Sequence, residues 1–219
     1  MLPLFFCANV FYSYQQTYVN GLTFNIRSRS LNGSLYWIAQ MAGGLIIGLL
    51  LDLPFLSRPN RARLGWAFVL VTGMAIWGGG YAFQKWADKR TAAGLEQDVD
   101  YTEGSISTGP MFLYIFYGTY DAFWQGFSYW LIGTESNSAE RAAILVASYK
   151  TFQATGAAMA WRITALGKPA MTQLGMDWGL CIGALIIVLP TVLTVSPTTR
   201  AEHGVPAGLP EKDTKEVEA

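Results

Sequence analysis

Charged side chains are scarce in this chain: 15 Lys and Arg stand against 15 Asp and Glu in 219 residues, 14% in all. A soluble globular domain carries about 25%. With a formal net charge of zero and no basic block, the sequence offers no nucleic-acid-binding face. A single histidine, His203, lies near the C-terminal end. Neither a zinc cluster nor a Ser/His/Asp triad can therefore be assembled within the chain. No metal, cofactor or soluble-type hydrolytic centre is expected, and the chain does not read as an enzyme. The two cysteines, Cys7 and Cys181, fall inside apolar runs and are expected to pack as small apolar residues. No basic stretch precedes the first apolar run and no small-residue cleavage pattern follows it, so this run reads as a retained helix rather than a signal peptide.

Apolar residues fill the space that charge leaves, at 52% hydrophobic and 14% aromatic. Six hydrophobic runs separated by polar connections predict an all-α integral membrane protein with spans at about 3–24, 31–51, 64–83, 111–133, 139–166 and 174–195. Together they form one six-helix bundle over 1–196. Residues 197–219, rich in Pro, Glu and Lys, read as a disordered polar tail.

The fourth run carries one acid, Asp121, near its middle. As a helix rising ~1.5 Å per residue it is about 34 Å long, enough to cross a hydrocarbon core of ~30 Å, which sets the carboxylate near mid-depth. Charge at that depth costs ~2.5 to 3.5 kcal/mol on insertion scales and normally has a partner. Lys150 in the fifth run is the predicted partner. On two antiparallel helices, acid and base stand ~20 and ~17 Å from one membrane face. Tyr117, Asp121 and Gln125 recur at four-residue steps and are expected to share a helix face. In the first run Asn9, Tyr12, Gln16 and Asn20 make a polar stripe, which serves either as glue between helices or as the lining of a polar pathway.

Other signals point to packing and orientation. Gly44 and Gly48, and Gly175, Gly179 and Gly183, have the spacing that lets helix backbones approach. Tyr36, Trp37, Trp66, Trp86, Trp161 and Trp178 lie near span ends, where rings anchor at the headgroups. Asn32-Gly33-Ser34 matches a glycosylation acceptor but opens a span. The loop 52–63, with Arg58, Arg61 and Arg63, is the densest basic cluster beside a span, which argues for a cytoplasmic location. Charge alone leaves the orientation tied: those three with Arg141, Arg200, Lys212 and Lys215 balance Arg27, Arg29, Lys85, Lys89, Arg90, Arg162 and Lys168.

Three long blocks carry a resemblance: FFCANVFYSYQQTYVNGLTFNIRSRSLNGSLYWIAQ, FYGTYDAFWQGFSYWLIG and ASYKTFQATGAAMAWRITA. In this order they resemble the second half of an Unc-ninety-three-like protein of fungal type, in a branch of the major facilitator superfamily. The resemblance covers all but the tail. It implies that the six spans correspond to the seventh through twelfth helices of a twelve-helix transporter, with both termini and the basic loop 52–63 in the cytoplasm of whichever membrane holds it. The superfamily's loop signature is met only in part, by Gly48 and Asp52 followed at a longer spacing by Arg61 and Arg63. The resemblance thus implies a gating contact of Asp52 with Arg61 or Arg63.

Such transporters form their site between two six-helix halves. The expected partners, besides the lipid bilayer, are therefore an N-terminal six-helix half, a second copy, or another membrane protein. The leading expectation is a solute or ion pathway lined by Asn9, Gln16, Tyr117, Asp121 and Gln125, with Lys150 as charge partner. The alternative is a non-transporting regulator or escort of another membrane protein. Intramembrane proteolysis would need a second facing acid, and Asp177 lies near the start of the last span, so it is not expected.

Overall fold

The computed structural model describes residues 1–135 and 138–197. The 197–219 tail expected from composition therefore lies almost entirely outside the described residues. The order is α1 (Leu2–Cys7), α2 (Tyr12–Tyr14), a π-helical turn (Gln15–Gly21), α3 (Ile26–Leu51), α4 (Arg58–Ala92), α5 (Gly104–Glu135), α6 (Ala139–Ala165) and α7 (Ala170–Leu193). Three of these helices, α3, α4 and α7, are long and apolar enough to cross a membrane. Their outward faces are greasy, with Ile38, Met41, Leu45 and Leu49 exposed on α3 and Ile186, Ile187 and Leu193 on α7. Apolar patches of this extent mark a surface built for lipid or protein rather than water.

Helices extend beyond the apolar runs because their polar ends are stabilised locally. α4 starts after Ser57 with Pro59 in its first turn, where a fixed φ and a missing N–H cost nothing. Its 35 residues make about 52 Å of helix, so Arg58, Arg61 and Arg63 are helical rather than loop residues. α3 begins at Asn25, whose side chain accepts from the Ser28 N–H as an N-cap. Ser138 caps α6 in the same way, accepting from Arg141 N–H.

Along α3 and α5, which pack closely over much of their length, backbones meet through Gly43 and Gly118. A Cβ on Gly118 would lie 2.6 Å from the Tyr36 carbonyl oxygen, and one on Gly43 2.7 Å from that of Thr119. The expected glycine faces are different residues. Gly44, Gly48, Gly175, Gly179 and Gly183 have no neighbour within 4 Å of a Cβ position. Four-residue spacing identifies a small face on a helix, but only the neighbour's position decides whether that face is used.

The first predicted span is broken. Ala8, Val10 and Tyr12 N–H groups donate to carbonyls three residues back, Gln15 to Phe11 four back, and Leu22 to Thr17 five back at 2.8 Å. The segment thus widens from tight turns to a π turn as it proceeds. Broken helices persist at membrane depth where protein covers them or they border a cavity, and π turns often mark functional sites. Here Leu4, Phe5, Val10, Phe11, Tyr14 and Val19 are buried, and α6 comes so close that a Cβ on Gly156 would collide with the Phe6 carbonyl oxygen.

At the end of the bundle where α4 gives way to α5, residues 93–103 strap back over the start of α3. Gln97 N–H donates to Leu22 O (2.9 Å), Val99 N–H to Thr23 O (3.2 Å) and Asn25 N–H to Val99 O (3.1 Å). Tyr101 N–H donates to Ser28 Oγ at 2.8 Å, and Arg27 contacts the Tyr101 hydroxyl.

Candidate functional site

Asp121 sits on α5 midway along the bundle and is fully buried. Its carboxylate accepts from the Tyr12 hydroxyl at 2.6 Å and from Gln125 Nε2 at 2.9 Å. Tyr12 in turn accepts from Gln40 Nε2 of α3 at 3.0 Å. The broken first segment, α3 and α5 are therefore joined at this acid.

The same three elements are joined by a ladder of polar pairs running away from Asp121. Tyr36 donates to Gln15 Oε1 (2.9 Å), Tyr114 to Gln16 Oε1 (2.7 Å) and Asn32 Nδ2 to Asn20 Oδ1 (3.1 Å). On α3 the rungs Asn32, Tyr36 and Gln40 are four residues apart, a helical stripe that faces the polar stripe of the first segment. That second stripe was readable in the sequence by the same spacing, and the sequence reading passed over it. It also corrects the placement of Tyr36, which is fully buried and hydrogen-bonded instead of anchoring at a headgroup. Asn32 is likewise buried, so the glycosylation match has no accessible side chain in the folded chain.

Lys150 and Asp121 do not form an ion pair. The ammonium donates to Gln153 Oε1 at 2.9 Å and lies over the rings of Tyr149 (5.2 Å) and Tyr129 (5.6 Å), on an exposed face of α6. Gln153 Nε2 donates onward to Asn9 Oδ1 at 3.0 Å and to the Tyr149 hydroxyl at 3.2 Å. The correction has a simple cause: depth along two helices follows from counting residues, whereas the rotation of each helix does not. Lys150 still acts on Asp121 through its charge at longer range.

Tyr117 is also misplaced by the sequence reading. It turns toward α4, with its ring 5.1 Å from Trp77, and its hydroxyl has no hydrogen-bond partner among the described residues. A four-residue step advances a helix by about 40°, so the Tyr117-to-Gln125 row spans two faces. Of the expected lining, Asp121 and Gln125 are hydrogen-bonded to each other, Gln16 to Tyr114, and Asn9 meets Lys150 through Gln153; with Tyr12 these make up a discontinuous polar track, and Tyr117 belongs to the aromatic core. At the other end of the bundle, Asp52 and Arg63 are exposed, and Arg61 Nε donates to the Leu56 carbonyl oxygen at 2.8 Å. Asp52 forms no ion pair with either arginine, so the expected gating contact is absent here.

Among the described residues no group of three or more His, Cys, Asp or Glu side chains could hold a metal ion. The polar track instead brings an acid together with a phenol and an amide as hydrogen-bond donors, with a lysine acting on it through charge at longer range.

Three membrane-length apolar helices, with a partly covered polar track between the first segment, α3 and α5, are the features of a helical membrane protein. The chain belongs to the UNC93-like family. It is 42% identical over 193 residues to an UNC93-like protein of Schizosaccharomyces pombe, an alignment covering 88% of this chain and 38% of that protein. It is 40% identical over 183 residues to UNC93-like protein 1 of Arabidopsis thaliana, covering 82% and 39%. A membrane protein of S. pombe matches at 28% over 160 residues, covering 72% of this chain. The chain spans about four-tenths of the length of the UNC93-like relatives it matches. No family model and no solved structure matches it.

Proposed function

We propose that this chain is one wall of a solute or ion pathway in a facilitator-type transporter, corresponding to the C-terminal six-helix half. In this reading the first segment, α5 and α6 also cross the bilayer. Asp121 is the group that changes its proton occupancy during the cycle.

The observation that carries this reading is the half-open polar track. Asn9, Tyr12, Gln16, Gln40 and Gln125 are only partly covered, and Lys150 stands exposed beside them at mid-length of its helix. Lipid tails offer no partners to amides or to an ammonium, and such a cation facing hydrocarbon costs at least ~2.5 kcal/mol. A second protein wall or a water-filled cavity relieves that cost. The 52–57 turn, the start of α1 and the end of α7 then lie on the cytoplasmic side, and the 93–103 strap lies opposite.

Proton-coupled uptake in proteoliposomes holding the full-length protein tests the reading. Asp121→Asn should reach the membrane at normal levels and lose uptake driven by a proton gradient; undiminished uptake would refute the role of Asp121. The exposed Lys150 face also supports a second reading, in which another membrane protein docks there and the chain regulates or escorts it. That alternative predicts a stoichiometric co-purifying partner lost in Lys150→Glu, with no flux in liposomes.

A further inference from the structure

A second carboxyl lies in the opposite side of the bundle, and nothing in the pathway uses it. Asp177, at the start of the third turn of α7, is fully buried, and neither of its oxygens has a hydrogen-bond partner among the described residues. The groups that act on it or that it acts on are Tyr14 and Cys7 from the first segment, Tyr117 from α5 and Cys181 from its own helix. α4 contributes Trp77, in ring contact with both Tyr14 and Tyr117, and Gln84. On α7 itself Gln173 is already engaged, donating to Ser13 Oγ at 2.5 Å and accepting from Thr164 at 2.9 Å. No basic side chain is among them. A charged carboxylate with no hydrogen bond and no cation around it is far costlier to bury than the neutral acid.

Hydrogen-bonded polar groups lead from Tyr14, on which Asp177 acts through its charge, to the end of the bundle. The Tyr14 hydroxyl donates to Gln84 Oε1 at 2.8 Å, and Gln84 Nε2 donates to Asp88 Oδ1 at 2.7 Å. Gln84 and Asp88 line a cavity of about 370 Å³ together with Tyr18, Arg90, Glu96 and Lys168. We propose that Asp177 is a proton-binding site, occupied by a proton in the conformation seen here and loaded from this cavity along Asp88, Gln84 and Tyr14. The step is one protonation: a hydronium ion in the cavity gives its proton to the carboxylate, leaving water and a neutral acid, with no other bond made or broken. Release requires water or a donor to reach Asp177, and Tyr14, hydrogen-bonded to Gln84 on the cavity side and close enough to feel the charge of the acid, is the positioning residue for that access.

Infrared difference spectroscopy of the full-length protein in lipid tests this without reference to transport, so a protein that moves no solute still gives an answer. At neutral pH the carbonyl stretch of a protonated carboxylic acid is expected in the natural protein, lost in Asp177→Asn and kept in Asp121→Asn. Absence of that band in the natural protein, or its survival in Asp177→Asn, overturns the proposal. Should Asp177→Asn fail to fold, Asp177→Glu supplies the same reading, with a shifted band in support and no band against. Replacing Gln84 with Leu should slow hydrogen–deuterium exchange of the band at least tenfold; an unchanged rate overturns the access route.

Discussion

Asp121 and Asp177 are both buried aspartates on long helices, and their surroundings are opposite. Asp121 has a phenol and an amide within hydrogen-bond distance and sits behind a half-open polar face. Asp177 is enclosed by aromatic rings and thiols with neither oxygen partnered. Burial alone therefore says little about an acid. The donors supplied by neighbouring helices decide whether it is a built polar site or a group that must stay neutral. The broken first segment serves both: Tyr12 turns to Asp121, and Tyr14, two residues on, turns toward Asp177.

Deletion of each acid gives the largest contrast. Asp121→Leu removes, at a fully buried position, the acceptor of both the Tyr12 and the Gln125 donor and should destabilise the protein by about 3 kcal/mol. Asp177→Leu replaces an unpartnered polar group by an apolar one of similar size and should be neutral or stabilising. Unfolding in mixed micelles measures both. Equal losses would mean that Asp177 has partners as good as those of Asp121, which would remove the contrast.

Smaller substitutions sharpen it on the Asp121 side. Tyr12→Phe removes a hydrogen bond to the carboxylate and should cost about 1.5 to 3 kcal/mol. Gln40→Leu removes a neutral rung one step further out and should cost about 1 kcal/mol. Each measured beside Asp121→Asn should give non-additive losses for Tyr12 and nearly additive ones for Gln40, because only Tyr12 touches the acid. Additive losses throughout would show that the ladder does not behave as a network.

Much of this arrangement was legible in the sequence because hydrophobic runs and polar interruptions are local. Helices occur at every predicted run, and their extra turns at Arg58–Arg63 and around Lys89 were missed because hydropathy sees the apolar middle of a helix and not its capped ends. The break at Ala8–Phe11 had no local marker, since no proline or glycine stands there. It answers instead to tertiary demands: α6 pressing Gly156 on Phe6, and side chains on two sides requiring partners. Asp121 stood out as the lone acid of its run. Asp177 did not, because its place near the start of a helix resembled an interface position, and only packing showed that α1, α4 and α5 close over it. The Asp121–Lys150 pairing failed for want of helix rotation, the one coordinate that spacing within a single helix cannot supply.

The smallest effect concerns the strap, which walls the cavity leading to Asp177 through Leu95 and Glu96 and touches no rung of the Asp121 ladder. Its pin is Asp100, held down to about 2 chiefly by the Asn25 side-chain amide, and then by the Thr102 N–H and hydroxyl. Asn25 Nδ2 donates to Asp100 Oδ2 at 2.7 Å while its Oδ1 caps α3. A carboxyl lowered by folding contributes stability above its free value, near 3.8, and loses that contribution as pH falls toward 2. Exchange protection at the Val99 N–H, bonded to Thr23, should therefore weaken across that acid window. Asn25→Ser keeps an N-cap but removes the donor to Asp100, so in that variant the weakening should begin at higher pH. In both proteins the Asp121 ladder should be indifferent to this change. If protection on α3 at Tyr36 and Gln40 fell together with that at Val99, the two regions would be one cooperative unit rather than two.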